Sequence, residues 1–311
     1  MIGALVIDKP AGLTSHDVVA RVRRAARTRR VGHAGTLDPF ATGVLVVCIE
    51  RATRLLQYVV GLDKEYLATV RTGFATDTQD LTGEQITPLA SSDLLSVEQV
   101  MAELKAFVGP QWQTPPMFSA KKVAGERLYV AAREGREVER QPVAITVSAI
   151  ELLELGQPNA DGTRDFVMRV RCSSGTYVRT LANDIGARLG MGAHLSALRR
   201  TAVGEFRVED ALPLDEVLRR GDEGSLERSL IKPAAVLGHL PMLQISDADL
   251  QRVMNGRELP LAGDEFDNEA IVPAMIRICD KSGELVAVGE VDERRRALRP
   301  RVVLKVADGA E

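Results

Sequence analysis

An unbroken apolar run from Met1 to Ile7 opens the chain and ends at Asp8, Lys9 and Pro10. A continuous run of this length reads as a buried strand. Thr14 and Asp17 stand at the spacing of a helix-starting capping box. Val18, Val19, Val22, Ala25 and Ala26 then take one side of a helix, and Arg23, Arg27 and Arg30 the other, which predicts an outward arginine face. A Gly-rich loop, Gly32 to Gly43, feeds a second buried strand, Val44–Ile49. Glu65–Thr72 alternates, with Tyr66, Ala68 and Val70 on one face and Leu67 and Thr69 on the other, as a strand does. Polar Thr76–Glu84 predicts a turn, and Val97–Val108 predicts a helix.

Residues 110–140 break the periodicity. They hold Pro110, Pro115, Pro116 and Gly125 among Lys121, Lys122, Arg127, Arg133, Arg136 and Arg140, a long basic excursion of the kind that carries function. Phe166, Met168, Val170 and Cys172 alternate as a strand, Ser173–Thr176 turns, and Val178, Leu181, Ala182, Ile185 and Leu189 have helical spacing that Gly190 stops. From about Pro233 the pattern changes to a short helix, Ser246–Asn255, closed by Gly256. A hairpin (Ile276–Cys279 with Leu285–Val288) and a last strand, Val302–Val306, follow. The expected class is α+β: a mixed, mostly antiparallel sheet flanked by helices over residues 1–232, then a small β-barrel over 233–311.

Charge changes this picture by its distribution. The net charge is −3, yet residues 21–30 hold six arginines, whereas residues 204–230 carry eight acids and four bases. A second basic cluster, Arg294, Arg295, Arg296, Arg299 and Arg301, lies near the C-terminus. Polarised charge lets one face hold phosphates while the whole stays near neutral. Cys48, Cys172 and Cys279 are widely spaced and odd in number, which fits a reduced cytoplasm and neither a disulfide framework nor a zinc site. The four histidines show no metal-ligand spacing. The opening apolar run is too short for a signal peptide.

The densest chemistry lies in Val31-Gly32-His33-Ala34-Gly35-Thr36-Leu37-Asp38-Pro39-Phe40-Ala41-Thr42-Gly43. Glycines there permit close approach of a ligand, and Pro39 fixes the chain after Asp38. On spacing alone, Asp38-Pro39 is equally an ordinary turn signal.

This segment resembles the motif of the TruB family of pseudouridine synthases, Gly-His-(Gly/Ala/Thr)-Gly-Thr-Leu-Asp-Pro. Further blocks in order resemble that family too: Ile7 to Ser15, Lys64-Glu65-Tyr66 with Gly73…Asp77…Asp80…Gly83, Ser174 to Leu181, and Leu195 to Thr201. The resemblance is strong over about residues 1–205 and weaker beyond, where it implies a PUA-like RNA-binding barrel. It implies isomerisation of uridine 55 in the T-loop of tRNA, without cofactor, metal, guide RNA or obligate protein partner, by a cytoplasmic monomer. Asp38 would be the nucleophile. Arg179 would pair with it and lower its pKa. Tyr66 would stack on the target uracil and could act as base at ribose C2′. Tyr177, Leu198 and His33 would line the nucleotide pocket, and Lys9 would stand near or behind the loop. The basic excursion would act as a thumb on the T-loop, a feature that guide-RNA-dependent relatives lack. Two other readings stay open: a non-catalytic RNA-binding or RNA-folding protein, and a hydrolase using Asp38 as phosphoryl acceptor, although no Gly-Lys-Ser/Thr phosphate loop is present.

Overall fold

The first apolar run forms strand β1 (Gly3–Lys9), which pairs antiparallel with β3 (Thr42–Ile49) from Gly3 opposite Ile49 to Lys9 opposite Gly43. The computed structural model describes residues 1–119, 122–123, 126–127, 134, 136, 138–260, 275–292 and 296–305. Part of the basic excursion, Lys121, Gly125 and Arg133 included, therefore lies outside the described residues, as do Arg294 and Arg295. Its first residues belong to β5 (Gly109–Gln113), and within it β6 (Lys122–Val123) pairs with β7 (Glu126–Arg127).

The main sheet adds β2 (Val31–His33), β4 (Lys64–Thr72), β8 (Val143–Pro158), β9 (Arg164–Cys172), β10 (Ala193–Val203), β11 (Phe206–Arg207) and β12 (Leu212–Pro213). Its order is β12-β1-β3-β10-β4-β9-β8-β5, with β2 on β3 and β11 on β10. It is mostly antiparallel, as expected. The parallel pairs are β1 with β12 and β3 with β10. The β3–β10 pair is the seam of the sheet: it holds by only Arg199 opposite Thr42 and Arg200 opposite Gly43. The two halves part beyond it, and the cleft described below opens there.

The short helix α2 (Leu56–Val60) follows β3; helices α3 (Val97–Ala106) and α4 (Val178–Arg188) cover one half of the sheet, burying Val100, Leu104, Leu181 and Ile185 against Ala68, Val70, Phe166 and Met168. Helix α1 (Ser15–Ala25) covers the other half with Val18, Val19 and Val22, capped by the Thr14–Asp17 box that the sequence predicts. Helix α5 (Leu214–Asp222), from the acidic stretch, packs on α1 where Gly221 meets Ala25.

One expectation is corrected, and one strand comes without one. The arginines do not share a helix face. The helix stops at Ala25, Ala26 caps it, and Arg27 takes φ +51°, so only Arg23 of the three is helical while Arg27 and Arg30 sit in the following loop. The sequence also gave no warning of β8, whose leucines at 152, 153 and 155 mimic helical spacing. Tertiary pairing with β9 on one side and β5 on the other overrides that signal.

Beyond α6 (Pro233–Val236), strands β13 (Met242–Gln244), β14 (Leu259–Pro260), β15 (Met275–Cys279), β16 (Leu285–Asp292) and β17 (Ala297–Val303) form a separate five-stranded sheet that fits the PUA-like barrel, with α7 (Asp247–Met254) capped by Ser246. Val236 and Leu237 lie in one apolar cluster with Val44 and Val46 of the first sheet and Val288 and Val302 of the second, so the two sheets share a core.

The seam depends on a glycine. Gly43 sits at φ +103°, and a Cβ there would lie 2.1 Å from the Arg200 carbonyl oxygen. Gly43→Ala is expected to lose at least about 2 kcal/mol of stability, from the left-handed backbone and the backbone clash together. Urea unfolding measures it, and a midpoint equal to the parent's would refute it.

Candidate active site

The cleft at the seam has a volume of about 440 Å³ and is lined by residues 35–38 of the glycine loop, by Lys64 and Tyr66 of β4, by residues 173–179, and by Leu198 and Arg200 of β10. The sequence scatters these residues over more than 160 positions. The sheet brings them together because β4 lies beside β10 and β10 beside β3.

Asp38 projects from the turn between β2 and β3. Three bonds to its neighbours fix that turn: Leu37 donates its N–H to Ser15 Oγ at 2.9 Å, Gly12 donates to the Pro39 carbonyl at 2.8 Å, and Ala41 donates to the carbonyl of Asp38 itself at 3.1 Å. Arg179 enters from the first turn of α4. Its Nε lies 2.9 Å from Asp38 Oδ2 and its Nη2 donates to Oδ1 at 3.2 Å, a two-pronged grip. The same guanidinium donates to the carbonyls of Thr78 at 2.9 Å and Phe118 at 2.7 Å and lies 3.5 Å from Asp80 Oδ2. Arg179 is therefore buried, at 5% side-chain exposure, whereas Asp38 keeps 34% and faces the cleft.

The electrostatic outcome differs from the sequence expectation. Loss of water around the Asp38 carboxyl raises its pKa above the ordinary 3.8; Arg179 and Lys9 oppose this and Asp80 adds to it. Desolvation outweighs the ion pair because nearby Asp80 shares the same guanidinium. A reaction that uses the Asp38 carboxylate loses it as pH falls, so the acid limb of the pH–rate profile is expected above 3.8. An acid limb at or below that value would contradict the shift.

Tyr66 lies at the cleft floor at 8% exposure; burial raises its phenol pKa, while a hydrogen bond with Arg200 works the other way. Leu198, at 7%, is beside it on the next strand. Tyr177 caps α4 and lines the cleft. Its backbone is held twice by Gln113, which accepts from its N–H at 2.8 Å and donates to its carbonyl at 3.0 Å. That clamp is not legible from the sequence, because Gln113 falls inside a stretch of irregular pattern.

Lys9 stands behind the loop, as the resemblance implies, and not against substrate; His33 lies outside the cleft. Lys9 has 0% exposure and donates to the carbonyls of Pro10, Leu13 and Pro39 at 2.9, 2.7 and 3.3 Å. It braces the Asp38 turn from behind and offers no surface to a substrate. Its ammonium pKa is lowered to about 8, chiefly by burial. His33 lies in β2, outside the cleft lining, edge-on to His16 with ring centroids 5.5 Å apart. Burial lowers its pKa below the ordinary value.

Residues 23–178 match the model of the TruB family pseudouridylate synthase N-terminal domain, and residues 179–237 that of the tRNA pseudouridylate synthase B C-terminal domain. The tRNA pseudouridine synthase B of Opitutus terrae is 51% identical over 215 residues, 69% of this chain and 86% of that protein. That of Corynebacterium efficiens is 42% identical over 92% of this chain and 94% of its own. Among solved structures, one of an H/ACA RNP bound to a substrate RNA containing 2′-deoxyuridine matches with a TM-score of 0.73 at 26% identity, covering 98% of this chain and 86% of that one. The fold and the acid–arginine cleft define an isomerase of the pseudouridine synthase class, and within it the chain belongs to the TruB family of pseudouridylate synthases.

Proposed function

We propose that this enzyme converts uridine to pseudouridine in tRNA, at position 55 of the T-loop, with Asp38 as nucleophile. The observation that carries this reading is the Asp38–Arg179 pair at the foot of a cleft floored by Tyr66 and Leu198. A carboxylate held by a fixed guanidinium, beside an aromatic face, suits a uracil that must be detached from ribose C1′ and rejoined through C5. The relatives named tRNA pseudouridine synthase B supply the tRNA. In this proposal Tyr66 stacks on the uracil, Tyr177 and Leu198 enclose it, Arg179 orients Asp38, and Lys9 and His33 support the loop from behind.

The target base has to leave its stack, at a cost of a few kcal/mol. Phosphate contacts from the arginines at 21–30 and the basic excursion at 110–140 would offset it. We assign the isomerase to residues 1–232, with the excursion as a thumb, and an RNA-binding role to 233–311. The enzyme acts as a cytoplasmic monomer without cofactor, guide RNA or protein partner. A tRNA-folding role accompanies catalysis.

The test is release of tritium from C5 of uridine in an unmodified tRNA transcript by the isolated protein. One release per tRNA, abolished when the T-loop uridine is replaced, supports reaction and site together. A protein that binds the transcript but releases nothing refutes the reading and leaves an RNA-binding one.

A further inference from the structure

Two cations in the cleft have no part in the mechanism above. Lys64 and Arg200 lie on the face of the sheet that carries Tyr66 and Leu198: Lys64 is two residues from Tyr66 on β4, and Arg200 is the register partner of Tyr66 on β10. Both are buried, at 7% and 1% exposure, and neither forms an ion pair among the described residues. A buried charge without a counter-ion is costly. Backbone carbonyls are what hold these two in place. Lys64 Nζ donates to Val60 and Leu62, and Arg200 donates to Val44 at 2.7 Å and Gly35 at 3.1 Å. An ammonium has three N–H groups, so Lys64 retains one donor where it borders the cleft.

We propose that Lys64, supported by Arg200, stabilises the negative charge on the uracil while it is detached from the ribose. The inference rests on the function proposed above. When the N1–C1′ bond breaks, both electrons leave with N1, and the base becomes an anion delocalised over O2 and O4. The electron deficit at C1′ is met by the Asp38 carboxylate. The base turns, C5 bonds to C1′ as the Asp38 carboxylate leaves it, the C5 proton departs to solvent and N1 takes one up from solvent, so the product is an isomer of the substrate. Charge that exists only in the detached state is what fixed donors in a water-poor site stabilise most effectively. The apolar neighbours Tyr66 and Leu198 mark the floor as the place of the base and not of a backbone phosphate.

The groups facing Lys64 are Arg200 from β10, Cys172 from β9, Asp63 from the turn before it and Tyr66 from its own strand. Burial chiefly lowers the Lys64 pKa to about 8, whereas it raises Cys172 to about 11 and Tyr66 above its ordinary value. The protonated, active form of Lys64 is thus present below about 8 and lost as pH rises through it.

The experiment compares single-turnover pseudouridine formation and transcript affinity for the parent, Lys64→Met and Lys64→Arg between pH 6 and 9.5. Lys64→Met is expected to slow the step about 10²-fold with affinity little changed. Lys64→Arg is expected to keep the rate within about tenfold and to lose the alkaline limb near pH 8, because a guanidinium stays charged there. A Lys64→Met rate equal to the parent's overturns the proposal. So does a loss confined to affinity, which would mark a phosphate anchor, or an alkaline limb that persists in Lys64→Arg, which would belong to Lys9. The Arg variant keeps the test decisive if the Met variant does not fold. A parent that forms no pseudouridine refutes the underlying function, an outcome separate from a parent that works and variants that work equally well.

Discussion

Asp38→Asn is expected to abolish pseudouridine formation while leaving the protein folded and able to bind its transcript. In the function proposed above the Asp38 carboxylate is the nucleophile, and an amide of the same shape cannot replace it. The expected fall in single-turnover rate is about 10⁴-fold or more, the scale of removing a group on which the whole chemical step depends. The fold should tolerate the change. Asp38 makes no contact that holds the sheet; the turn around it is fixed by Ser15, Gly12 and Lys9 through backbone groups that the substitution leaves intact. Arg179 also keeps Asp80 and the carbonyls of Thr78 and Phe118. Rapid-quench assay and thermal unfolding decide it together. A residual rate within tenfold of the parent's would remove Asp38 from the chemistry.

Arg179 behaves differently, because it grips the Asp38 carboxylate and also ties Asp80, Thr78 and Phe118 together. Arg179→Ala strips a buried cation from two carboxylates and two carbonyls, and is expected to cost about 3–5 kcal/mol of stability as well as activity. Arg179→Lys separates the two effects. It keeps the charge but not the planar fork, so one ammonium cannot grip both Asp38 oxygens and also reach Thr78 and Phe118. A carboxylate displaced by about an ångström loses on the order of 10²-fold in rate. The lysine variant is therefore expected to unfold closer to the parent than the alanine variant does, while remaining at least about 10²-fold slower at saturating transcript. Urea midpoints and single-turnover rates measure the two quantities. A lysine variant as active as the parent would show that charge alone suffices.

Much of the local structure was legible because it depends on neighbours in the chain. The Thr14–Asp17 cap, the alternation around Tyr66, the Gly190 stop and the hairpin after Met275 are short-range signals, and each element formed where its period placed it. Asp38, Tyr66 and Arg179 stood out through motif resemblance, and the cleft unites them. The length of α1 was misjudged because the i, i+4, i+7 spacing of Arg23, Arg27 and Arg30 continues past the point where Arg27 turns left-handed. Strand β8 was missed because its leucines at 152, 153 and 155 do not alternate as a regular strand's do, where its register with β9 shifts.

What the sequence determined by itself was the class of chemistry and the elements that carry it: an acid on a glycine loop, a tyrosine on a strand, an arginine in a first helical turn. The tertiary structure alone decided their electrostatics and their support. The Asp38 pKa moves up because burial and Asp80 outweigh Arg179, which is a property of the surrounding shell and not of the pair. Lys9 became a brace, Gln113 a clamp on Tyr177, and Lys64 and Arg200 a buried cationic floor. Desolvation and carbonyl partners arise only where strands distant in sequence meet, and no spacing along the chain encodes them.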